Sequence, residues 1–488
     1  MENSTISGDR LQPGSQPKEW AANAGSGAVG AVTRSLESQM TLHTAPLEEA
    51  GSLFAAAFRQ GAWKHISDFK ISEYEKTQRQ DYSLKKCADL LDKHDIIQNP
   101  DISEIGCTYE LEGDVYWVKT IGKGAFSRVL SIEPPVTGST ATGWQYAFMP
   151  IAIKSACNKG RSDIFDEEAD RTLRNEIKVL SGIPRHETIL NFFGSFNYQR
   201  TEERVFQDAV PVSIMEYCQQ DMSGYCKKLS SFSETEFRKR VWEASDGLMF
   251  LQEKRILHRD LKPENLFYGY DGICKWGDLG FSVVLTQDEF FDTKYVGTYD
   301  YSSPELIMPV SEFWRYSVYS DVWAFGATLM HLLNCEVSFY DLRDVGCLGE
   351  DAAVKRKIVY RKLLEAFATK ENKVSEMSPY TLGDIQDDLI AIWGVDYENA
   401  FIQGLDNEKS LDKHREYYFN LRKKGDNSFA LCNVLAQREI AILAIMCMQY
   451  EPRSRLTPIY IKNNQDEWLK QRPRAVHGAS ASAAMATP

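Results

Sequence analysis

One stretch of this 488-residue chain constrains it more than any other: Ile256-Leu-His258-Arg259-Asp260-Leu261-Lys262-Pro263-Glu264-Asn265-Leu-Phe, followed by Asp278-Leu279-Gly280. Short apolar runs bracket a segment crowded with ionisable side chains. The patterns on either side decide how it is read.

Upstream, Gly122-Lys-Gly124-Ala-Phe-Ser127-Arg-Val129 lies between two strand-like runs. Without side chains, Gly122 and Gly124 let the backbone bend over phosphates and offer N–H donors to their oxygens. The third glycine position of such a loop holds Ser127, and taken alone the segment reads more readily as a hairpin turn. Ile151-Ala-Ile-Lys154 is a buried-strand pattern that ends in lysine, an odd residue for that place. A lysine there can reach two phosphates as a point charge, provided a carboxylate holds it. Glu176, in the helical stretch from Arg171 to Leu180, is the candidate carboxylate. Read separately, each of the two also suits a solvated surface.

Taken in order, these segments resemble the eukaryotic protein kinase superfamily, of the serine/threonine type, over roughly residues 110–470. The resemblance implies ATP and Mg2+ as cofactors and assigns the following roles. Asp260 accepts the proton of the substrate hydroxyl and orients the attacking oxygen. Asn265 and Asp278, both hard oxygen donors, hold magnesium. Lys262 stabilises the transferring phosphoryl group and marks the serine/threonine branch. Lys154, held by Glu176, meets the phosphates under the loop of Ile121, Gly122, Gly124 and Ser127. In Ile214-Met215-Glu216-Tyr217-Cys218, Met215 stands behind adenine, and the backbones of Glu216 and Cys218 bond the base. Val129, Ala152 and Phe267 sandwich it. Asp221 touches the ribose or simply caps a helix, two readings of about equal weight. His258, Leu279 and Leu180 match the family's packed spine.

Further along, Gly297-Thr298-Tyr-Asp-Tyr301-Ser-Ser303-Pro304-Glu305 resembles the family's substrate loop, with Ser303 in place of alanine. It implies that Thr298 hydrogen-bonds Asp260 and Lys262. The stretch from Ser320 through Asp321 and Trp323 to Gly326 resembles the buried helix that anchors the catalytic loop, and Glu305 is expected to pair with Arg455. Three departures stand out: Leu279 where phenylalanine is usual, a long loop at residues 134–143, and an interval from Asp321 to Arg455 much longer than the family's. The last implies an insert at about 336–440. Its basic cluster of Lys355, Arg356, Lys357, Arg361 and Lys362 could dock an acidic partner, though a solvated helix face is the readier reading. Arg259 stands where the family often recruits an activation-segment phosphate. Thr286, Thr293 and Tyr295 are the available acceptors, with Thr293 nearest the usual position. Asp288, Glu289 and Asp292 could instead supply the charge.

Residues 1–45, rich in Gly, Ser, Thr and Ala, read as disordered. Residues 46–108 read as a helical extension, with Leu53, Phe54, Ala57 and Phe58 and then Tyr82 to Ile96 at helical spacing. This extension could inhibit, dock or cap the small lobe. The kinase-like domain is expected over 109–470: a small lobe 109–215, a hinge 216–221 and a large lobe 222–470, before an unstructured tail 471–488. Within it, Ser233 and Glu236 form a capping box ahead of a helix whose Phe237, Val241, Ala244, Leu248 and Leu251 share one face.

The 56 Lys and Arg against 69 Asp and Glu leave a formal charge of −13, which argues against a nucleic-acid partner and mildly for cationic ones. Ten scattered cysteines without a C-x-x-C pair suit a reducing compartment. Residues 1–35 hold no apolar signal-like run, and the longest apolar run, Ile440 to Met448, is too short to span a bilayer. A soluble protein of the cytoplasm, with the nucleus open, and no membrane partner is therefore expected.

The sequence predicts an α+β, bilobal protein-kinase-like fold, with a small antiparallel β-sheet lobe and a larger, mainly helical lobe. The expected reaction is transfer of the γ-phosphoryl group of Mg-ATP to serine or threonine hydroxyls of protein substrates. A pseudokinase scaffold would have been expected to lose Lys154, Asp260 or Asp278. A small-molecule kinase of related fold would be expected to lack the substrate loop.

Overall fold

The computed structural model describes residues 89–460, except 92, 95, 98–100, 112–113, 125–126, 134–150, 157–166, 199–209, 229–233, 270, 287–289, 308–313, 335–351, 369–380, 405–406, 425–428 and 457. Residues 1–45 with Leu53, Phe54, Ala57 and Phe58, the loop 134–143, Ser233 of the expected cap, Asp288, Glu289 and the tail 471–488 lie outside the described residues, as do the side chains of Phe237, Asp292, Lys355 and Arg356.

A six-stranded antiparallel sheet forms the small lobe: β1 (Cys107–Leu111), β2 (Asp114–Lys123), β3 (Ser127–Glu133), β4 (Ile151–Ala156), β5 (Phe192–Tyr198) and β6 (Val210–Glu216), in the order β1-β2-β3-β4-β6-β5. The period-two rule sorts its side chains: in β2, Tyr116 and Val118 are buried while Val115 is exposed. The same rule divides the two faces of the central strands. Leu130, Ile132, Ile153, Val212 and Ile214 enter the small-lobe core. On the opposite face the register aligns Ser131, Ala152 and Met215 in one row, and Val129, Lys154 and Ser213 in the next. A lysine is thus delivered to the face opposite the core by strand alternation alone.

That core is closed from outside the sheet. Leu90, Leu91, Ile96, Ile97 and Ile102, all upstream of the first strand, are buried in it. Thr120 Oγ1 and Arg128 Nη2 donate to the Ile102 carbonyl at 2.6 and 2.7 Å. The described end of the N-terminal extension therefore caps the small lobe, one of the three roles the sequence left open. Strand pairing begins at Cys107, opposite Val118, two residues ahead of the expected start at Tyr109.

Helix α1 (Glu167–Gly182) places Ala169, Leu173, Glu176 and Leu180 on one buried face, with Glu167, Glu168 and Asp170 at its positive end. The chain then crosses through β7 (Cys218–Asp221) and α2 (Met222–Lys228) into the large lobe. There α3 (Glu234–Glu253) buries Val241, Ala244, Leu248 and Leu251, as its spacing predicts. β8 (Ile256–Leu257), β9 (Leu266–Gly269) and β10 (Cys274–Trp276) frame the polar segment that follows. β9 lies between β7 and β10, and β8 pairs with β11 (Val283–Val284). β12 (Phe290–Thr293) pairs with β13 (Trp314–Ser317) on either side of the short α4 (Pro304–Ile307).

Two helices make the centre of the large lobe. α5 (Val318–Asn334) is buried throughout residues 321–330, which is what an all-round apolar helix requires. After α6 (Ala352–Ala368), α7 (Leu382–Trp393), α8 (Tyr397–Gln403) and α9 (Asn407–Lys424) comes α10 (Phe429–Cys447). The apolar run Ile440 to Met448, which ends just past α10, packs on α5 so closely that a Cβ at Gly326 would sit 2.6 Å from Met448 Cγ. No helix among the described residues is long and apolar enough to cross a membrane.

The helices between α5 and α10 are not an appendage. Leu363 of α6, Ile385 and Leu389 of α7, Phe401 of α8 and Tyr418 of α9 join the large-lobe core. Fully buried Asp388 accepts hydrogen bonds from Tyr417 and Tyr418 at 2.7 and 2.6 Å and from Arg438 Nε at 2.9 Å, tying α7, α9 and α10 together. The bilobal α+β architecture expected from the sequence is present, with the long interval folded into its large lobe.

Burial of Leu91 at the base of the small-lobe sheet yields a direct check. Leu91→Ala should destabilise the protein by about 2–5 kcal/mol through lost burial and a residual cavity, read as a lowered denaturation midpoint. An unchanged midpoint would show that the upstream segment is not part of that core.

Candidate active site

The lysine delivered by β4 finds two carboxylates. Lys154 Nζ donates to Glu176 Oε2 of α1 at 2.6 Å and to Asp278 Oδ1 at 2.8 Å. Burial alone would lower the pKa of this ammonium, but the charges of Asp278 and Glu176 outweigh it and hold the pKa above its ordinary value. Burial also raises Glu176, with Lys154 opposing it. Lys154 and Glu176 are buried while Asp278 is partly exposed, and the buried charges stand only because each is paired. Asp278 adopts a left-handed backbone, φ 58°, and begins the turn through Leu279 and Gly280. That turn is clamped from α1 by Asn175, whose Nδ2 donates to the carbonyls of Gly280 and Ser282 at 2.9 and 2.8 Å.

The His258–Asn265 segment lies between β8 and β9 and is held at both ends. Asp321, near the start of α5, accepts the backbone N–H groups of His258 and Arg259 at 2.7 and 3.0 Å. The His258 ring is fully buried, with Nε2 3.0 Å from the Gly277 carbonyl. Asp260 then becomes the hub of three side chains. Its Oδ2 accepts from Lys262 Nζ at 2.9 Å and from Asn265 Nδ2 at 3.0 Å, and its Oδ1 accepts from Thr298 Oγ1 at 2.7 Å. Lys262 also donates to Thr298 Oγ1 at 2.7 Å. Thr298 reaches this point because Gly297, at φ +101°, lies against the Arg259 carbonyl, where any Cβ would come within 2.3 Å. The contacts expected of Thr298 with Asp260 and Lys262 are both formed.

Asp278 and Asn265 present oxygens suited to a hard cation. Asn265 spends its amide hydrogens on the Asp260 carbonyl and carboxylate, which leaves its amide oxygen as the remaining donor. Asp278 gives one oxygen to Lys154 while its side chain stays 41% exposed, so the other is accessible. These groups fit magnesium, which prefers few carboxylates and keeps room for phosphate and water.

The side chains expected around adenine come from two sheets. Val129, Ala152 and Met215 share the site face of the small-lobe sheet, and Phe267, half-buried in β9, pairs with Lys275 and Asp221. Ile121 and Gly122 lie at the end of β2 and Gly124 follows it; the Gly124 N–H donates to the Ser127 carbonyl at 2.8 Å, closing the glycine turn. Glu216 ends β6, and Cys218 opens β7. The Asp221 carboxylate accepts the Gly224 N–H at 2.7 Å, a contact with the first turn of α2 that matches the capping alternative. Leu180 and Leu279 are buried in one core with Met215.

Two residues carry weight that sequence reasoning did not assign. Lys275, almost wholly buried, donates to both oxygens of Glu216 at 2.7 and 2.9 Å and pairs with Asp271 at 2.7 Å. Asn191 Nδ2 adds a 2.6 Å bond to Glu216. The hinge carboxylate is thereby stapled to the large lobe through β10. Tyr316 of β13 accepts the Val296 N–H at 2.8 Å and donates to the Val296 carbonyl at 2.7 Å, next to Gly297. The lysine sits three residues before Asp278 in an apolar strand, which is a signal; nothing local marks the tyrosine. Downstream, Arg455 meets Glu305 in a two-pronged pair at 2.7 and 2.6 Å, as expected, although Glu305 keeps 27% of its side chain exposed.

The family model for the protein kinase domain matches residues 116–469. An Aurora kinase of Schizosaccharomyces pombe is 28% identical over 239 residues, 49% of this chain and 58% of the relative. An Aurora kinase of Eremothecium gossypii is 31% identical over 267 residues, 54% of this chain and 64% of the relative. Aurora kinase B of Danio rerio is 33% identical over 167 residues, 34% of this chain and 47% of the relative. The chain thus spans less than two thirds of each of these curated relatives. With the matched domain running from β2 of the small lobe past Arg455, and the Lys154, Asp260 and Asp278 networks inside it, this chain belongs to the protein kinase domain family.

Proposed function

We propose that this protein is a serine/threonine protein kinase that transfers the γ-phosphoryl group of ATP, with Mg2+, to hydroxyls of protein substrates. The observation that carries the reading is the Asp260 carboxylate held at once by Lys262, Asn265 and Thr298. A carboxylate fixed in this way can accept the hydroxyl proton as the oxygen attacks phosphorus and the bond to the leaving ADP breaks. Lys262 is placed to offset the charge on the phosphoryl oxygens, and Lys154 to hold the remaining phosphates against the glycine turn. Asn265 and Asp278 are the residues that would hold magnesium, which would supply positive charge to offset that of the phosphates. The intact triad of Lys154, Glu176 and Asp278 weighs against a pseudokinase, and the Gly297–Glu305 loop against a small-molecule kinase.

Adenine is assigned to the space under Val129 and Ala152 and over Phe267, with Met215 behind it and the Glu216 and Cys218 backbones as its hydrogen-bonding edge. The overall charge of −13 and exposed Glu264 favour substrates with basic residues near the acceptor. Exposed Lys357 and Arg361 on α6 are the place proposed for an acidic docking partner. A cytoplasmic or nuclear location is supported by the free thiols of Cys107, Cys218, Cys274 and Cys447.

Asp260→Asn and Asp278→Asn should each lower kcat by at least on the order of 100-fold in a peptide phosphorylation assay, because each removes charge that acts in the transition state. Wild-type turnover in either variant would refute the assignment. On a positional-scanning peptide library, the expected products are phosphoserine and phosphothreonine; predominant phosphotyrosine would overturn the residue class. Lys275→Met should raise KM for ATP about tenfold with a smaller change in kcat, since it frees the hinge carboxylate without touching the reacting atoms. An unaltered KM would remove Lys275 from any part in nucleotide binding.

A further inference from the structure

Arg259 immediately precedes the proposed catalytic base, and its surroundings differ from those of a residue awaiting a phosphate. Its backbone is left-handed, φ 66°, and pinned by Asp321. Its Nε donates to the Phe281 carbonyl at 2.6 Å. Its guanidinium lies 5.1 Å from the ring centre of Phe291 and 5.3 Å from that of Tyr316. Those two residues are direct cross-strand partners in the β12–β13 ladder, so their rings stand on one face of the pair. Among the described residues, Arg259 makes no ion pair with a carboxylate side chain.

The same ladder reaches the substrate loop. The Tyr316 hydroxyl holds both the N–H and the carbonyl of Val296, Gly297 rests on the Arg259 carbonyl, and Thr298 then bonds Asp260. Upstream, the segment is fastened by β11 on β8 and by the Leu285 N–H on the Arg255 carbonyl at 2.8 Å. A guanidinium half withdrawn from water gains from an electron-rich neighbour, and aromatic faces supply one without a second charge. Thr293 is itself a member of β12, paired with Trp314 and half-buried.

We propose that the facing rings of Phe291 and Tyr316 hold Arg259 as a phosphate would, so that the segment is catalytically ordered without modification and Tyr316 is a positioning residue for Thr298 and Asp260. This rests on the kinase reading above and specifies how that site is regulated. The sequence offers two other sources of charge for this arginine, a phosphate at Thr293 or the carboxylates of Asp288, Glu289 and Asp292.

The test uses the full chain made with a co-expressed phosphatase and verified phosphate-free by intact mass before and after the assay, beside the same protein phosphorylated by prolonged incubation with Mg-ATP. Equal kcat in the two forms is the expected result. A phosphate-free form at least about tenfold slower than its phosphorylated counterpart would overturn the clamp while leaving the kinase assignment standing. Inactivity of both forms would refute the kinase reading and the clamp with it. In phosphate-free protein, Phe291→Leu and Tyr316→Phe should each lower kcat about tenfold with KM for ATP unchanged, and Phe291→Tyr should retain activity. Wild-type kcat in Phe291→Leu would overturn the proposal, as would equal loss in Phe291→Tyr. A combined Asp288→Asn, Glu289→Gln, Asp292→Asn variant should keep full activity; its loss would transfer the role to those carboxylates and overturn the clamp.

Discussion

The carboxylate of Asp321 is 2% exposed and receives two consecutive backbone N–H groups, those of His258 and Arg259, from a turn that has no regular secondary structure to satisfy them. Unsatisfied buried donors are costly, so this bond pair decides where the turn lies. It also explains why Arg259 can tolerate a left-handed backbone: the surrounding contacts over-determine it. The helix that carries Asp321 is apolar and buried on every side, which makes the anchor rigid. Asp260, Lys262 and Asn265 inherit their positions from this arrangement, and Thr298 is added when Gly297 closes onto the Arg259 carbonyl.

A second set of constraints is electrostatic. The charged groups that the site buries are paired across elements distant in the chain: Lys154 with Glu176 and Asp278, Lys275 with Glu216 and Asp271, Arg455 with Glu305. Removing one partner of such a pair strands the other, so these contacts specify geometry more than they add stability. They also join the lobes. α1 touches the Asp278 turn through Asn175 and Glu176, while Lys275 ties the hinge to β10. Both the Asp278 turn and the hinge are therefore held by contacts that cross from one lobe to the other.

Much of the site was legible because its chemistry demands particular residue types at short spacing. The His258–Asn265 segment, the Asp278 turn, Lys154 and Glu176 are all marked in the sequence, and the structure joins them in two hydrogen-bonded sets, one at Lys154 and one at Asp260. The alternation in β4 and the face of α3 were equally readable, since periods of two and of about 3.6 residues are local properties. Less legible were residues whose importance comes from long-range partners. Leu90 and Leu91 look like any amphipathic helical pair, yet they floor the small-lobe sheet. Tyr316 and Phe291 look like ordinary strand aromatics, yet their register sets them on Arg259.

The sequence by itself therefore determined the family, the two-lobe α+β plan and the identity of the side chains that meet at Lys154 and at Asp260, because specific motifs and short-range periodicity carry that information. Tertiary structure alone decided three matters. It turned the described end of the N-terminal extension into a cap, since burial depends on which apolar surface the sheet leaves open. It drew the long interval between Asp321 and Arg455 into the core, since Asp388 finds Tyr418 and Arg438 only after α7, α9 and α10 have met. And it set Arg259 against two aromatic faces, because strand pairing between segments far apart in sequence places Phe291 opposite Tyr316.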